Sequence, residues 1–235
     1  ISKEELEVKE KLSVAKFGGS LLDVEGEGVP KILQRLKELK QRDGIGPVAV
    51  FSAPMGCTDE LIRIGEAYAQ STPVSVDSVF QIYACIAKRH VKGEYLAEAL
   101  ATVASYKAKT LEALGDVNKR FSGNVKAKVL TLGGELAMAA LMDFVMKSHG
   151  IRSCCIAVQD WPVVTDDNFE DAAPNFELSK KHVDALIVPL EAGKVVSLAG
   201  FLGVTADGLE TILGRGGSDL TAVFASCLLK ARCHT

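Results

Sequence analysis

The stretch Leu12-Ser-Val-Ala-Lys-Phe-Gly-Gly-Ser20 decides the fold of this chain. Its first six residues are mostly apolar, and Gly18-Gly19 ends them. We therefore predict a strand followed by a tight turn, because residues without side chains let the backbone turn sharply. Such a turn also lets backbone N–H groups approach an anion, and Lys16 adds a positive charge just before it.

An amphipathic helix is expected next. Apolar side chains recur at the helical period at Val29, Ile32, Leu33, Leu36 and Leu39. Pro30 stands in the first turn, where proline is favoured. Gly44 and Gly46 end the helix, and the stretch from Pro47 to Ser52 predicts a second strand. The two strands should lie parallel with a right-handed crossover.

The rest of the chain alternates between helical and strand-like segments. An all-helical insertion is expected at about residues 59–121, and strands are expected at 127–131, 151–158, 185–188 and 194–199. Helices are expected from Gly133-Gly134 through His149, near 178–183 and over 218–230, with an acidic loop outside the core at 163–174. This alternation predicts an α/β fold: a three-layer αβα sandwich with an open, mostly parallel sheet. We expect one domain over residues 1–235.

The composition excludes several functional classes. The 235 residues are 48% hydrophobic and 24% charged, which suits a globular domain that buries roughly 70% of its unfolded surface. With 27 Lys+Arg against 30 Asp+Glu and no basic run, we expect no nucleic-acid partner. No apolar stretch approaches the roughly 20 residues that cross a bilayer, so no membrane partner is expected. The six cysteines lack a CxxC pair and the four histidines are scattered, which favours a cytoplasmic chain without a zinc site.

Unusual residues follow the predicted strands, where an open α/β sheet binds its ligands. Lys16-Phe-Gly-Gly-Ser20 is a candidate phosphate site, with an ordinary turn as the alternative. Ser52 and Thr58 follow the second strand, and their hydroxyls at a helix N-terminus suit a carboxylate. The alternative is that Thr58 or Asp59 only caps that helix. Glu135 follows the predicted third strand, where its charge could simply favour a helix start.

The most unusual stretch is Leu213-Gly-Arg-Gly-Gly-Ser-Asp-Leu-Thr221. Three glycines around one arginine are costly inside a regular element but suit close contact with a ligand. Arg215 offers a planar fork for a carboxylate. Ser218 and Asp219 stand at the start of the last helix, where Ser218 is a candidate cap. A plain turn into that helix is the alternative.

Five segments, in this order, resemble the aspartate kinases of the amino acid kinase superfamily. They are Lys16-Phe-Gly-Gly-Ser20, Val50-Phe-Ser-Ala-Pro-Met-Gly-Cys-Thr58, Gly134-Glu135, Trp161-Pro-Val-Val-Thr-Asp-Asp-Asn-Phe169, and Gly200-Phe201 through Leu213-Gly-Arg-Gly-Gly-Ser-Asp-Leu-Thr-Ala222. The first segment is shared across the superfamily. The combination of Arg215-Gly-Gly-Ser-Asp219, Gly134-Glu135 and the loop from Ser52 to Thr58 is more specific to aspartate kinases. The resemblance implies the amino acid kinase fold and transfer of the γ-phosphoryl group of ATP, with Mg²⁺, to the β-carboxylate of L-aspartate. That reaction gives 4-phospho-L-aspartate, the first step towards lysine, threonine and methionine. A homo-oligomer is also implied.

The resemblance assigns roles to individual residues. Lys16 and Asp219 would be catalytic, with Asp219 organising Mg²⁺ or Lys16. The ATP phosphates would lie against Lys16, Gly18, Gly19, Ser20, Gly216 and Gly217. The amino acid would lie against Ser52, Thr58, Glu135, Arg215 and Ser218, with Arg215 on its α-carboxylate and Glu135 on its ammonium. No strong base is needed, because the attacking carboxylate is ionised near pH 7.

The sequence departs from the family pattern at two places. Ser20-Leu-Leu-Asp23 stands where aspartate kinases usually show Thr-Ser-Val. The chain ends at Thr235, whereas family members continue with a strand, a Thr-Asp-Val-x-Gly loop that holds the nucleotide base, and regulatory ACT domains. We therefore expect either a fragment of a longer enzyme or a protein compromised in ATP binding. Two alternatives stay open: a sister kinase for N-acetylglutamate, an aminoadipate derivative or UMP, and a non-catalytic domain that binds an amino acid.

Overall fold

The computed structural model describes residues 12–234, which are built around a parallel sheet. The strands are β1 (Ser13–Phe17), β2 (Val48–Phe51), β3 (Ser153–Cys155), β4 (Val195–Ala199), β5 (Leu202–Val204), β6 (Glu210–Ile212) and β7 (Arg232–His234). Five of them pair in parallel in the order β3-β4-β2-β1-β7, and β5 and β6 form a separate antiparallel pair. The predicted parallel pairing of β1 and β2 is confirmed.

Helices surround this sheet. They are α1 (Val29–Asp43), α2 (Cys57–Ala69), α3 (Asp77–His90), α4 (Tyr95–Gly115), α5 (Gly123–Thr131), α6 (Ala137–Ser148), α7 (Phe176–Ser179), α8 (Asp184–Glu191) and α9 (Gly217–Leu229). They lie on both sides of the sheet, which confirms the predicted αβα sandwich. Every residue of β2 and β4 is buried, as expected of parallel strands covered on both faces.

The carboxyl ends of the three central strands are in register. Phe17 pairs with Phe51, and Phe51 pairs with Ala199. The rings of Phe17 and Phe51 stack with their centroids 5.5 Å apart. The segments that follow β1, β2 and β4 therefore leave the sheet at the same level, along the edge where such sheets bind ligands.

Two of the predicted strands are helices. Residues 127–131 lie in α5, and residues 185–188 lie in α8. The periodicity of a short apolar run does not distinguish a strand from a buried helix, and both predictions were wrong for this reason. In α5 the Thr131 hydroxyl donates to the carbonyl oxygen of Ala127, one turn back, at 2.9 Å. A π-helical segment, Leu132–Leu136, joins α5 to α6, so the helical region predicted at about 59–121 extends to residue 148.

Three short strands were not predicted. β5 and β6 form a hairpin of three-residue strands, too short to show a period of two. β7 contradicts the expectation that the strand after the last helix is missing, because it pairs with β1. The strand predicted at 151–158 is present as β3, which is only three residues long. The loop at 163–174 was predicted to lie outside the core, but Val163 and Val164 are buried.

The helical run from Gly123 to Ser148 contradicts the expectation that no apolar stretch approaches membrane-spanning length. Its 26 residues include an 18-residue window with a mean hydropathy of 1.6. In the fold, 94% of that window is buried inside the protein. Burial to this extent is typical of the core helix of a globular domain.

A buried carboxylate holds β7 beside β1. The side chain of Asp43, at the end of α1, is fully buried. It accepts hydrogen bonds from the Ser13 hydroxyl at 2.6 Å, from Arg42 at 2.7 Å and from Arg232 at 3.0 Å. Burial alone would raise the pKa of Asp43, but these partners hold that pKa below its ordinary value. One carboxylate therefore connects α1, β1 and β7.

Asp43→Ala should lower the free energy of unfolding by about 2 kcal/mol, because it removes charged hydrogen bonds from a buried position. Urea denaturation measures this change. Glu38→Ala on the same helix is the control, since its exposed pair with Arg35, at 3.6 Å, contributes under about 1 kcal/mol. Equal losses in the two variants would contradict the role given to Asp43.

Candidate active site

The turn after β1 lies directly against the loop after β2. A Cβ atom on Gly19 would lie 2.6 Å from the carbonyl oxygen of Ala53, closer than real Cβ contacts. The backbone N–H of Met55 donates to the carbonyl oxygen of Gly19 at 3.2 Å. Residue 19 must therefore be glycine if these two segments are to meet.

The same turn carries a lysine that reaches the last helix. The Nζ atom of Lys16 lies 3.1 Å from Oδ1 of Asp219, in the first turn of α9. The lysine side chain is 19% exposed and the aspartate side chain 51%, so the carboxylate faces solvent. The same Nζ atom lies 3.4 Å from the position that a Cβ atom would take if residue 18 had a side chain. The structure thus brings Lys16, Gly18 and Asp219 together.

The segment after β4 packs against the start of α9. A Cβ on Gly200 would lie 2.5 Å from Oγ of Ser218, and one on Gly217 would lie 2.6 Å from the ring of Phe201. Phe201 has a φ of +67°, which a bulky residue rarely adopts. Its N–H donates to the Thr221 hydroxyl at 3.0 Å. Strain that surrounding contacts hold in place is common at functional sites.

The side chains predicted to cap helices do not cap them. Gly56, with a φ of +81°, precedes α2, and Gly216, with a φ of +73°, precedes α9. Neither helix has a side-chain cap, so Thr58, Asp59 and Ser218 lie inside the first turns. Thr58 and Ser218 are half-buried. Their hydroxyls are therefore not occupied by capping bonds.

Arg215 lies exposed between two glycines of left-handed conformation. Gly214 has a φ of +70° and Gly216 one of +73°. Within residues 12–234 Arg215 forms no ion pair. A Cβ on Gly214 would lie 2.1 Å from Oδ1 of Asp171, so the acidic loop at 163–174 borders this segment. The guanidinium is free to bind an anion.

The two remaining serines lie at the ends of β1 and β2. Ser20 is exposed in a short 3₁₀ turn, Gly19–Leu21. Ser52 is half-buried, and its backbone N–H donates to the carbonyl oxygen of Phe17 at 3.1 Å. Both hydroxyls therefore stand beside the turn that carries Lys16.

Glu135 approaches the site from a helix, and the prediction that it follows a strand was wrong. It belongs to the π-helical segment between α5 and α6, in which Gly134 has a φ of −107° and a ψ of −105°. Glu135 is only 4% exposed. Its carboxylate lies beside the backbone N–H of Ala53 in the loop after β2, and a Cβ on Gly134 would lie 3.4 Å from the Cβ of Ala53. Ala53 therefore contacts both the turn after β1 and Glu135.

The Glu135 carboxylate is buried and incompletely bonded. Its Oε2 atom has no hydrogen-bond partner in the part of the chain that the structure describes. Burial raises the pKa of Glu135 to about 7, although the backbone N–H groups of Glu135 and Ala53 favour the charged form. A buried acceptor without a partner costs free energy, and a cationic donor such as an ammonium group would remove that cost.

Sequence reasoning missed two residues of this site. Ala53 acts through its backbone alone, which no residue pattern reveals. Tyr83, on α3, places its hydroxyl 2.8 Å from the carbonyl oxygen of Gly133 and 2.9 Å from that of Gly134. A lone tyrosine at an apolar position of a helix predicts only a core residue.

Comparison with known proteins identifies the family. The sequence profile of the amino acid kinase family matches residues 11–234. The chain belongs to the amino acid kinase family. The aspartokinase of Chlamydia muridarum is 29% identical over 225 residues, which cover 93% of this chain and 46% of that protein. The bifunctional aspartokinase/homoserine dehydrogenase 2 of Arabidopsis thaliana is 26% identical over 230 residues, which cover 94% of this chain and 24% of that protein.

Solved structures share the fold of this amino acid kinase. E. coli aspartokinase III in complex with aspartate and ADP matches with a TM-score of 0.76 at 22% identity, over 94% of this chain and 48% of that one. The aspartate kinase of Clostridium acetobutylicum matches with a TM-score of 0.66 at 20% identity, over 94% and 46%. This amino acid kinase therefore spans less than half the length of each of these four relatives.

At pH 8, Glu135→Gln should raise the free energy of unfolding by about 1 to 3 kcal/mol, because each pKa unit corresponds to about 1.4 kcal/mol. The folded-state pKa of about 7 lies above the ordinary 4.5, so the ionised carboxylate destabilises the fold above pH 7. This destabilisation disappears as the pH falls towards 4.5. Urea denaturation at pH 8 and pH 5 should show the advantage of the variant shrinking at pH 5.

Glu170→Gln is the matched control. Burial would raise the pKa of Glu170, but Lys126 and the N–H of Gly123 hold it below its ordinary value. That variant should therefore lose stability at pH 8. A Glu135→Gln protein less stable than the wild type at pH 8 would contradict our description of Glu135.

Proposed function

We propose that this amino acid kinase uses ATP to phosphorylate the β-carboxylate of L-aspartate. One observation carries the proposal: Ala53 contacts both the Gly18-Gly19 turn, which suits phosphates, and the buried Glu135 carboxylate, which suits an ammonium group. Relatives that are aspartokinases and match over 93% and 94% of the chain support this substrate. The solved relative that holds aspartate and ADP supports the same pair of ligands.

The phosphate half of the site fits ATP with Mg²⁺. The Gly18-Gly19 turn has no side chains, so phosphate oxygens can approach its backbone N–H groups, and the Lys16 ammonium lies 3.4 Å from the position of a Cβ on Gly18. Ser20 at this turn and the backbone of Gly216 and Gly217 at the start of α9 would add donors for phosphate oxygens. Mg²⁺ on the phosphates would neutralise negative charge, and the exposed carboxylate of Asp219 would hold it.

The amino-acid half of the site needs a cation and an anion. The exposed guanidinium of Arg215 would bind the α-carboxylate, and Glu135 would accept the ammonium at Oε2. The hydroxyls of Ser52, Thr58 and Ser218 would supply the remaining polar contacts. Both charged groups on the α-carbon would then be fixed, and the β-carboxylate at the other end would be directed towards Lys16.

The reaction needs positioning more than proton transfer. A β-carboxylate oxygen attacks the γ-phosphorus of ATP, and the bond between that phosphorus and the oxygen bridging to the β-phosphate breaks. The products are an acyl phosphate and ADP. No proton has to move, because the attacking carboxylate is ionised near pH 7. Lys16 stabilises the negative charge on the transferred group, and Asp219 holds the ammonium of Lys16 in place.

The unpartnered oxygen of Glu135 favours aspartate over the alternative substrates. An N-acylated amino acid carries no ammonium group, and UMP carries none either, so neither would bring a cationic donor to Oε2. A non-catalytic domain that binds amino acids would use Arg215 and Glu135 in the same way but would need no Lys16. The experiments below distinguish these cases.

We further propose a cytoplasmic location, which the six free cysteines support. The homo-oligomer stays a prediction, as does the single domain over residues 1–235. Residues 1–11 and 235 of that domain lie outside the described residues. Pairing of β7 with β1 supports the view that the strand expected before the nucleotide-base segment begins within this chain.

With ATP, Mg²⁺, L-aspartate and hydroxylamine, the chain should form aspartyl hydroxamate, because hydroxylamine captures the acyl phosphate. Lys16→Ala should lower kcat by about 10²- to 10³-fold, as the loss of one charge-stabilising donor does in other enzymes. Lys31→Ala, an exposed lysine of α1, is the control and should leave kcat unchanged. Aspartate binding without any hydroxamate would contradict the kinase and favour the binding domain.

Arg215→Ala should raise the KM for L-aspartate by roughly 10- to 100-fold, since it removes a charged hydrogen-bond donor for the α-carboxylate. The KM for ATP should stay within about twofold. Arg152→Ala, an exposed residue before the amino end of β3, is the matched control. An unchanged KM for aspartate in Arg215→Ala would show that the assignment of Arg215 is wrong.

A further inference from the structure

The π-helical segment that carries Glu135 is held by a side chain from another helix. The hydroxyl of Tyr83, on α3, lies 2.8 Å from the carbonyl oxygen of Gly133 and 2.9 Å from that of Gly134. The tyrosine side chain is fully buried. Its single proton is therefore shared between two carbonyl oxygens that water does not reach.

The Gly134 carbonyl accepts a hydrogen bond from the backbone N–H of Ala137 in its own helical run, and Tyr83 is a second donor that comes from another helix. A π-helical segment interrupts the regular ladder of helical hydrogen bonds. At Gly134 the φ of −107° and the ψ of −105° take the backbone out of the helical region. Gly133 and Gly134 are both buried. A carbonyl oxygen has two lone pairs, so the Tyr83 hydroxyl adds a buried hydrogen bond to this irregular backbone and stabilises it.

The bond to Gly134 also acts on Glu135. The Gly134 carbonyl and the Glu135 nitrogen belong to one planar peptide unit, so a donor that fixes this carbonyl fixes the plane from which Glu135 continues. The Glu135 carboxylate meets the N–H of Ala53 and leaves Oε2 without a partner. Rotation of that peptide plane would move Oε2 away from its place beside the loop after β2.

Tyr83 also lies beside the start of α2, the helix that carries Thr58. The thiol of Cys57 is buried beside the Tyr83 hydroxyl. Cys57 is the first residue of α2 and precedes Thr58. One hydroxyl therefore connects the helix start that carries Thr58 with the segment that carries Glu135.

We propose that Tyr83 is a positioning residue for recognition of the substrate ammonium group. Its hydroxyl bonds two backbone carbonyls and lies beside a buried thiol, so it acts on the amino acid only through the place it gives to Glu135. This inference rests on the proposed function, because it assumes that Glu135 binds an amino-acid ammonium. It adds a residue of α3 to a site otherwise built at the ends of strands, at the starts of α2 and α9 and in the π-helical segment.

Tyr83→Phe keeps the ring and removes the hydroxyl. The KM for L-aspartate should rise about tenfold, because Glu135 loses the support that places Oε2. The values of kcat and of the KM for ATP should stay within about twofold, since Lys16 and the turn after β1 are untouched. Tyr95→Phe, at the start of α4, removes the hydroxyl of another half-buried tyrosine of the helical region; it is the matched control and should match the wild type.

A double-mutant comparison separates positioning from general destabilisation. If Tyr83 acts through Glu135, then Tyr83→Phe in a Glu135→Gln background should change aspartate binding by less than about twofold. A merely structural role would weaken binding equally in both backgrounds. Equal losses would therefore overturn the inference.

Gly134→Ala tests the same segment if Tyr83→Phe does not fold. A Cβ there would lie 3.4 Å from that of Ala53, at the close limit of ordinary contact, so the added methyl group would press this segment against the loop beside which Glu135 lies. This variant should show the same selective rise in the KM for aspartate. A fall in kcat with an unchanged KM for aspartate would overturn the inference.

Calorimetry with L-aspartate keeps this inference separate from the kinase proposal. If the wild type binds aspartate but forms no acyl phosphate, the kinase proposal fails, and a tenfold weaker Kd in Tyr83→Phe still supports the positioning role. An unchanged Kd in Tyr83→Phe overturns the positioning role and leaves the kinase proposal standing. A wild-type chain that binds no aspartate overturns both.

Discussion

The turn after β1 and the loop after β2 can touch only because residue 19 carries no side chain. A Cβ there would lie 2.6 Å from the Ala53 carbonyl oxygen, and a backbone atom cannot swing aside as the end of a flexible side chain can. This contact places Ala53 between the phosphate half and the amino-acid half of the site. Its carbonyl faces the turn after β1, and its N–H lies beside the Glu135 carboxylate. The rest of the proposed site depends on this close approach.

The two halves of the site differ in how they handle charge. Lys16 and Asp219 form an ion pair whose carboxylate is half-exposed, so either partner can take up a ligand without losing all of its solvation. Glu135 is buried, and one of its oxygens has no partner, so the ionised form is costly until a cation arrives. The partly exposed Lys16–Asp219 pair therefore suits reversible binding of nucleotide phosphates. A buried acceptor suits discrimination for an ammonium group, because a substrate without that group leaves the cost in place.

The parts of the fold with a strong local signal were predicted from the sequence. Five elements lie within a residue or two of their predicted positions: β1, β2, β4, α1 and α9. The one larger difference is the end of α1, which extends to Asp43. These predictions succeeded because each element has a clear period and glycine or proline at its boundary. The strand predictions for residues 127–131 and 185–188 were wrong, because a short apolar run is compatible with a buried helix as well as with a strand. The residues that approach Lys16 were found through their motifs. Tyr83 could not be predicted from the sequence, because its hydroxyl bonds the carbonyl of Gly133, which is 50 residues away in the chain and belongs to another helix.

The central claim is that the free oxygen of Glu135 binds the ammonium of the amino acid in the cleft that contains Lys16. A crystal structure of the chain with L-aspartate and ADP tests it most directly. Our account predicts the ammonium nitrogen within hydrogen-bonding distance of Glu135 Oε2 and the β-carboxylate facing Lys16. Aspartate bound elsewhere, or bound with its ammonium in solvent while Oε2 stays without a partner, would contradict the account.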